Sequence, residues 1–504
     1  MIRWAAAALC AAVTVAGSLA AEAQQAIPAH PSQLRFPPLG FAIPDPAALR
    51  HQLGNGVVVY IAEDHTVPLV EVTVQARIGA FLDTPDKDGL AALTGSLLRQ
   101  GGTLSKSALE FDDALDALAA SIEVKTEDTR SSVTLSGLSA HLDSGLALLF
   151  DLLAHPAFDD ERVEAEKARW GALLATRNDA PEDISDREWQ WLLYGESHVS
   201  SRYLTAKRLA GLKRQDLIDF HARYWQPANF SLTVAGDVEP AKVLAQLDAL
   251  FGAWHSHGQP APWPPAPSTH RPRAGTYVVP LEAPQDQVTI GRLGLTWDEH
   301  WRDSDPYAIE VLTEVLAGNL FTSRLGRRLR GEDGLVYGID SRSGIGTTWP
   351  DSLQIRFSCD PARLLRALGH VGEELKRIRD EPVSADELAT AKAVLATELT
   401  ASFASARATV VTFALDDLLG LPHERWQGYR NRLNAVSAAE VQRIARTYLR
   451  PEEMVRLIAG SWPPAGPAVG QQLGAYHLLP LRDPINLELP KGNSGPGDSP
   501  GTGH

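Results

Sequence analysis

The sequence predicts an α+β protein of two homologous domains, each a mainly antiparallel sheet with helices packed on one face. Three observations lead there. The chain repeats itself. Residues 212–236 and 436–460 share one layout of helix, Tyr, two residues, Pro, strand and Gly. Tyr224, Pro227 and Gly236 return as Tyr448, Pro451 and Gly460 at one constant offset, and residues 159–176 match 384–399 in nearly the same register. Short strands and helices also follow one another without regular β-α alternation, which points to helices on one side of a mainly antiparallel sheet. Between the copies lies Pro260-Ala-Pro-Trp-Pro-Pro-Ala-Pro267, with the composition of an interdomain linker. The expected organisation is a signal peptide at 1–23, an extended arm at 24–46 and domains at 47–254 and 275–465. A linker at 255–274 joins the domains, and the tail at 466–504 ends in disorder.

In order, Leu53-Gly-Asn-Gly56 is a turn and residues 57–62 a strand. Residues 69–76 alternate, placing Val70, Val72, Val74 and Ala76 on one face of a second strand. Residues 88–103 form a helix. Its Leu90, Leu93, Leu97 and Leu98 make one apolar stripe, and Gly101 and Gly102 end it. A helix at 105–120 takes Ser105 as N-cap. Strands follow at 122–126 and 132–138, then helices at 141–154 and 159–176, the second with an acidic first turn that suits the helix dipole. Residues 179–201 read as irregular and hold the aromatics Trp189, Trp191 and Tyr194. A helix at 212–224, a strand at 230–235 and a short helix at 243–250 complete the first copy. The second copy opens with strands at 275–279 and 287–295, a helix at 307–316, the turn Gly318-Asn319 and a helix at 321–330. A strand at 351–358, helices at 361–379, 385–403 and 438–448 and a strand at 454–459 close it.

Lys and Arg total 47 against 62 Asp and Glu, a net charge of −15, which argues against general nucleic-acid binding. At the N-terminus, Arg3, an apolar run at 4–19 and the small-x-small site Ala21-Glu22-Ala23 make a secretory signal; a retained membrane anchor is the alternative. Leu9 is too large for the residue before a lipidated Cys10. Cys10 leaves with the signal and Cys359 then stands alone. Export without disulfides fits a bacterial periplasm, and no other stretch reads as a membrane span.

The helix at 88–103 raises the question of metal chemistry. Ala92, Gly95 and Ser96 stand where an inverted zinc motif H-x-x-E-H would place its two histidines and its glutamate. His255 and His257 sit two apart in the proline-rich run, and the other histidines are scattered without a ligand pattern. There is no phosphate loop, and no Gly-x-Ser-x-Gly elbow between a strand and a helix. The positive candidate is residues 322–337. Arg330 closes an amphipathic helix and Tyr337 follows the Gly334 turn. A guanidinium can hold peptide carbonyls and a phenol can donate to a developing oxyanion. From residue types alone, a solvated Arg-rich helix end followed by a strand tyrosine is the simpler reading.

From Leu53 to Gly460 the chain resembles the pitrilysin/insulinase family of zinc metallopeptidases, in the branch where half-size subunits pair as in processing peptidases. The likeness rests on Leu53-Gly-Asn-Gly56, Gly89-Leu-Ala91, the layout of 216–236, and on Ser323-Arg-Leu325, Leu329-Arg330 and Gly334-Leu-Val-Tyr337 in this order and spacing. The family's His, Glu and His are replaced by Ala92, Gly95 and Ser96, and its distal glutamate aligns near Leu173. The resemblance therefore implies a subunit that holds no metal of its own and performs no proteolysis alone. Zinc would sit in a homologous partner subunit carrying H-x-x-E-H. Arg330 and Tyr337 would complete that partner's site in trans for an unfolded peptide substrate, with Gly318 and Asn319 bordering the peptide channel. The alternative is a non-enzymatic scaffold or peptide-binding protein on the same fold. Neither reading involves nucleic acid or stable membrane insertion.

Overall fold

The computed structural model describes residues 41–257, 259–265, 270–461 and 474–490. The signal segment, most of the arm, part of the proline-rich run and the end of the tail lie outside the described residues. All the described strands and helices fall in the unit from Ile43 onward.

The strands are β1 (Arg50–Gln52), β2 (Val58–Glu63), β3 (Leu69–Ala76), β4 (Ser121–Thr126), β5 (Ser131–Leu138), β6 (Phe230–Gly236), β7 (Gly275–Pro280) and β8 (Asp286–Leu293). They continue with β9 (Leu295–Thr296), β10 (Val336–Ser343), β11 (Ile345–Gly346), β12 (Ser352–Cys359), β13 (Val455–Gly460) and β14 (Tyr476–Leu478). Among the described residues they form two large sheets, in the orders β1-β2-β6-β3-β5-β4 and β10-β12-β8-β13-β7-β14, beside a small β9-β11 pair. The repeat extends to the topology of five strands in each sheet, β2-β6-β3-β5-β4 and β7-β13-β8-β12-β10. In each half the first long strand pairs in parallel with the last, β2 with β6 and β7 with β13, and the remaining neighbours of the shared core are antiparallel. Gly236 and Gly460, matched in the sequence, end equivalent strands.

The principal helices are α1 (Leu90–Gln100), α2 (Ala108–Ala117), α3 (Leu142–Ala154), α4 (Asp160–Ala175), α5 (Pro181–Tyr194), α6 (Arg214–Tyr224) and α7 (Asp305–Thr313). The second half adds α8 (Leu364–Asp380), α9 (Ala385–Ala401), α10 (Ala406–Leu419), α11 (Glu424–Ala435) and α12 (Ala438–Tyr448). The predicted leucine stripe of α1 is buried throughout, and Gly102 takes the left-handed conformation (φ +70°) that only glycine adopts cheaply. Two expectations are corrected. Ser105 does not cap α2. Ser107 does, in a reciprocal capping box with Glu110, because only from that position can the hydroxyl reach the third helical N–H. Residues 179–201 are not irregular either, since α5 fills most of them. Its buried face mixes Ile184, Trp189 and Leu193 with Ser185, Arg187 and Glu188, so the apolar stripe is interrupted in the sequence.

Both α5 and α10 cross over. α5 belongs to the first copy yet packs on β8 and β13, where Ile184, Trp189, Leu193 and Tyr194 join Val279, Val455 and Leu457 in one cluster. Trp189 Nε1 donates to Ser352 Oγ at 2.8 Å, and Tyr194 donates to the Pro350 carbonyl at 3.0 Å. Reciprocally, α10 of the second copy packs on β2, β3 and β6. Val410, Phe413 and Ala414 are fully buried there, and Tyr60 donates to Asp417 at 2.8 Å. Each sheet thus carries its own helices on one face and one helix from the other half on the second. A buried Val or Phe is worth roughly 1.5–3 kcal/mol, so the exchange ties the halves strongly.

Candidate functional site

The start of α1 is fixed by carboxylates. Buried Asp83 accepts from the N–H groups of Gly89 (2.9 Å) and Ala91 (2.8 Å), satisfying two of the donors every helix leaves free at its first turn. Burial pushes the Asp83 carboxyl up to about 7 against the pull of those bonds. Asp88, also buried, pairs with Arg208 at 2.9 Å and Arg202 at 3.3 Å. These contacts hold α1 against edge strand β4, with Ala92 and Ser96 half-exposed and Gly95 buried.

What occupies the motif positions decides the chemistry. Ser96 Oγ donates to Glu166 Oε1 of α4 at 2.6 Å. The same carboxylate accepts from Trp170 Nε1 at 2.7 Å and from Arg169 through Nε at 2.8 Å and Nη2 at 2.5 Å. Glu166 is only 4% exposed, and Arg169 in front, with Ser96 and Trp170, holds its carboxyl below the ordinary range. At Gly95 a Cβ would run into Thr126 Oγ1, a hydroxyl already bonded to Ser131. Leu173, where the distal ligand aligns, is 56% exposed. A zinc site needs three or four nitrogen, sulfur or oxygen donors. Here Ala92 offers a methyl group, Gly95 a bare Cα, Leu173 an isobutyl group and Ser96 a hydroxyl already bonded to Glu166, whose carboxylate is neutralised by arginine, so the residues present do not fit the metal. Among the described residues, no group of three His, Cys, Asp or Glu side chains could hold one elsewhere.

The second candidate lies in the second half, where Arg330 and Tyr337 stand side by side. Arg330 sits in a wide-turn helical segment (Gly326–Glu332) and Tyr337 near the start of β10, the second-half counterpart of β4. The Arg330 guanidinium carbon lies 5.2 Å from the centre of the Tyr337 ring. Tyr337 is 82% exposed at a sheet edge, so the pair faces outward. The segment is anchored from below. Buried Arg324 grips Glu387 at the N-terminus of α9 with two bonds, of 2.7 and 3.0 Å. Arg324, and Ser384 less strongly, lower the Glu387 carboxyl to about 2.

Gly318 and Asn319 lie just upstream. Asn319 Oδ1 accepts from the N–H groups of Phe321 (2.9 Å) and Thr322 (3.2 Å), which makes it a turn former. Sequence reasoning missed Phe321, whose ring centre is also 5.2 Å from the Arg330 carbon, and it missed Glu166. The signal for Glu166 was the i, i+3, i+4 run Glu166, Arg169, Trp170 on one helix face. A cavity of about 660 Å³ opens where the halves meet, lined by Asp128, Trp189, Tyr203 and Trp349 among others. Neither Arg330, Tyr337, Gly318 nor Asn319 lines it.

A duplicated α+β fold, a helix stripped of metal ligands and an exposed Arg–Tyr pair define the class: a peptidase-fold protein without a metal centre on its motif helix. The chain belongs to the pitrilysin/insulinase family. Residues 58–190 match the family model described as insulinase (peptidase family M16), and residues 211–395 match the peptidase M16 inactive domain. It is 24% identical to the uncharacterized zinc protease YmxG of Bacillus subtilis, over 82% of this chain and 98% of that one. It is 25% identical to an uncharacterized zinc protease of Mycobacterium leprae, over 64% and 72%. Among solved structures it resembles a peptidase M16 inactive domain from Pseudomonas fluorescens, with a TM-score of 0.73, 20% identity and 82% and 97% coverage. It also matches half of the periplasmic protease PqqL of Escherichia coli, with a TM-score of 0.66, 16% identity and 89% and 50% coverage.

Proposed function

We propose that this chain is the zinc-motif-lacking subunit of a paired peptidase and completes the active site of an H-x-x-E-H partner in trans. The observation that carries the reading is the Arg330–Tyr337 pair, held 5.2 Å apart and outward-facing on a chain whose own motif helix offers no ligand set. The partner supplies the metal and the general base. Tyr337 donates its phenolic hydrogen bond to the tetrahedral oxyanion, and Arg330 holds the backbone of an unfolded peptide. The pair works in the periplasm, which the apolar N-terminal run supports.

The test is expression of the chain alone and together with an exported H-x-x-E-H homologue, measuring zinc content and peptide turnover. Tyr337→Phe cuts turnover of the complex by about 10²-fold, as loss of an oxyanion donor does. Stoichiometric zinc and turnover by the isolated chain would sink the reading, as would unchanged kinetics in the variant. A peptide-binding scaffold is the second reading. The edge positions of β4 and β10 favour it, because an edge strand can accept an extended peptide. Recovery of stable assemblies containing no peptidase would select it.

A further inference from the structure

Four arginines crowd the segment that carries the candidate site, and three of them are neutralised. Arg324 is bonded to Glu387, Arg327 stands 4.0 Å from the same carboxylate, and Arg328 pairs with Glu332 at 3.0 Å and Asp333 at 3.7 Å. Arg330 differs. Among the described residues it has no carboxylate partner, and two rings flank it instead, Phe321 and Tyr337, each centred 5.2 Å from the guanidinium carbon. That distance lies within the range where a ring face attracts a cation. Phe321 is 72% exposed, although a lone phenyl ring gains nothing from water. Its backbone is pinned by the two N–H bonds to Asn319 Oδ1, so the ring is set from a fixed base. Arg324 and Leu329, both buried, fix the helical segment on the other side.

We propose that Phe321 is a positioning residue. Its ring, with that of Tyr337, holds the Arg330 guanidinium by its π surface and leaves the in-plane N–H donors free for a peptide carbonyl. The inference rests on the reading of Arg330 and Tyr337 as peptide-contacting groups. The physical reason is geometric. Aromatic stacking uses the faces of a guanidinium and hydrogen bonding uses its edge, so rings restrict the side chain without consuming its donors. A carboxylate partner would restrict it too, but would occupy those donors.

The experiment titrates the full chain with a fluorescein-labelled, unstructured, C-terminally amidated peptide and reads anisotropy. Phe321→Leu, which keeps apolar bulk but removes the ring face, weakens binding by about 3- to 5-fold, the size of an exposed cation–π contact. Phe321→Trp restores it. Arg330→Ala weakens binding further, and adding Phe321→Leu to it costs nothing more. If Arg330→Ala weakens binding and Phe321→Leu does not, or Phe321→Trp fails to restore it, the positioning role is overturned while the peptide-contact reading stands. If neither variant matters, or the wild-type chain holds no peptide, that reading falls. The positioning role is then decided on the side chain itself by NMR. It stands if the Arg330 Nε–H resonance shows a ring-current shift that Phe321→Leu removes, and it falls if that resonance does not move.

Discussion

Ser96 on α1 donates its hydroxyl hydrogen bond to Glu166 on α4 across 2.6 Å, and Arg169 closes the other side of the same carboxylate. The two helices are joined here by a serine, a carboxylate and a guanidinium. The motif positions are therefore packed and hydrogen-bonded rather than vacant, and this has measurable consequences.

Restoring the motif residues does not restore the metal. The triple variant Ala92→His, Gly95→Glu, Ser96→His is expected to bind no stoichiometric zinc by elemental analysis. Gly95→Glu drives a side chain into Thr126, at a cost of about 1–3 kcal/mol for overpacking. Glu166 stays paired with Arg169. One zinc per chain in the triple variant would show that this packing yields easily.

Removing the carboxylate should be costly. Glu166→Ala leaves Ser96, Trp170 and Arg169 without their acceptor and is expected to lower stability by about 2–3 kcal/mol in denaturant titration. Glu166→Gln keeps an acceptor oxygen and should cost less. Equal losses would mean that the charge, not the hydrogen-bond pattern, holds the two helices.

The crossover of α5 and α10 predicts that the halves unfold together. Tyr60→Phe deletes a bond to a charged acceptor and is expected to cost about 1–2 kcal/mol. Calorimetry should still show one transition, moved to lower temperature. Two separate transitions, with only one shifted, would contradict the interlocked packing.

Acid should loosen the site segment. Glu387 is held at about 2, below its ordinary 4.5, chiefly by Arg324. A depressed carboxylate contributes stability above its unfolded pKa and loses it as pH falls through the folded value. Hydrogen-exchange protection factors in residues 321–337, corrected for the intrinsic pH dependence of exchange, should therefore fall as the pH is lowered from about 4.5 to 2, and Arg324→Ala should remove that dependence. Protection unchanged across the window would assign the anchoring elsewhere.

Much of this fold was legible in the residues. The strand at 69–76 and the helix at 438–448 fall where periodicity put them, because the apolar residues of each recur on one face. α10 went unassigned and α5 was read as irregular for a shared reason. Both lie between a foreign sheet and other buried groups, and their faces hide polar residues: Ser185, Arg187 and Glu188 in one, Thr409 and Asp416 in the other. Arg187, 2% exposed, reaches Asn178 Oδ1 at 3.0 Å, a partner that only folding brings near. Glu166 was overlooked because alignment by motif spacing pointed two turns further along α4, to Leu173.

By itself the sequence determined the duplication, the family and the missing ligands at Ala92, Gly95 and Ser96, since residue identity and spacing are enough to exclude a donor. It also singled out Arg330 and Tyr337. Only the tertiary structure decided what fills the motif helix, which half each crossing helix serves and how Arg330 is held. Those depend on contacts between residues far apart in the chain, Ser96 with Glu166, Tyr60 with Asp417 and Trp189 with Ser352, and local periodicity carries no record of such partners.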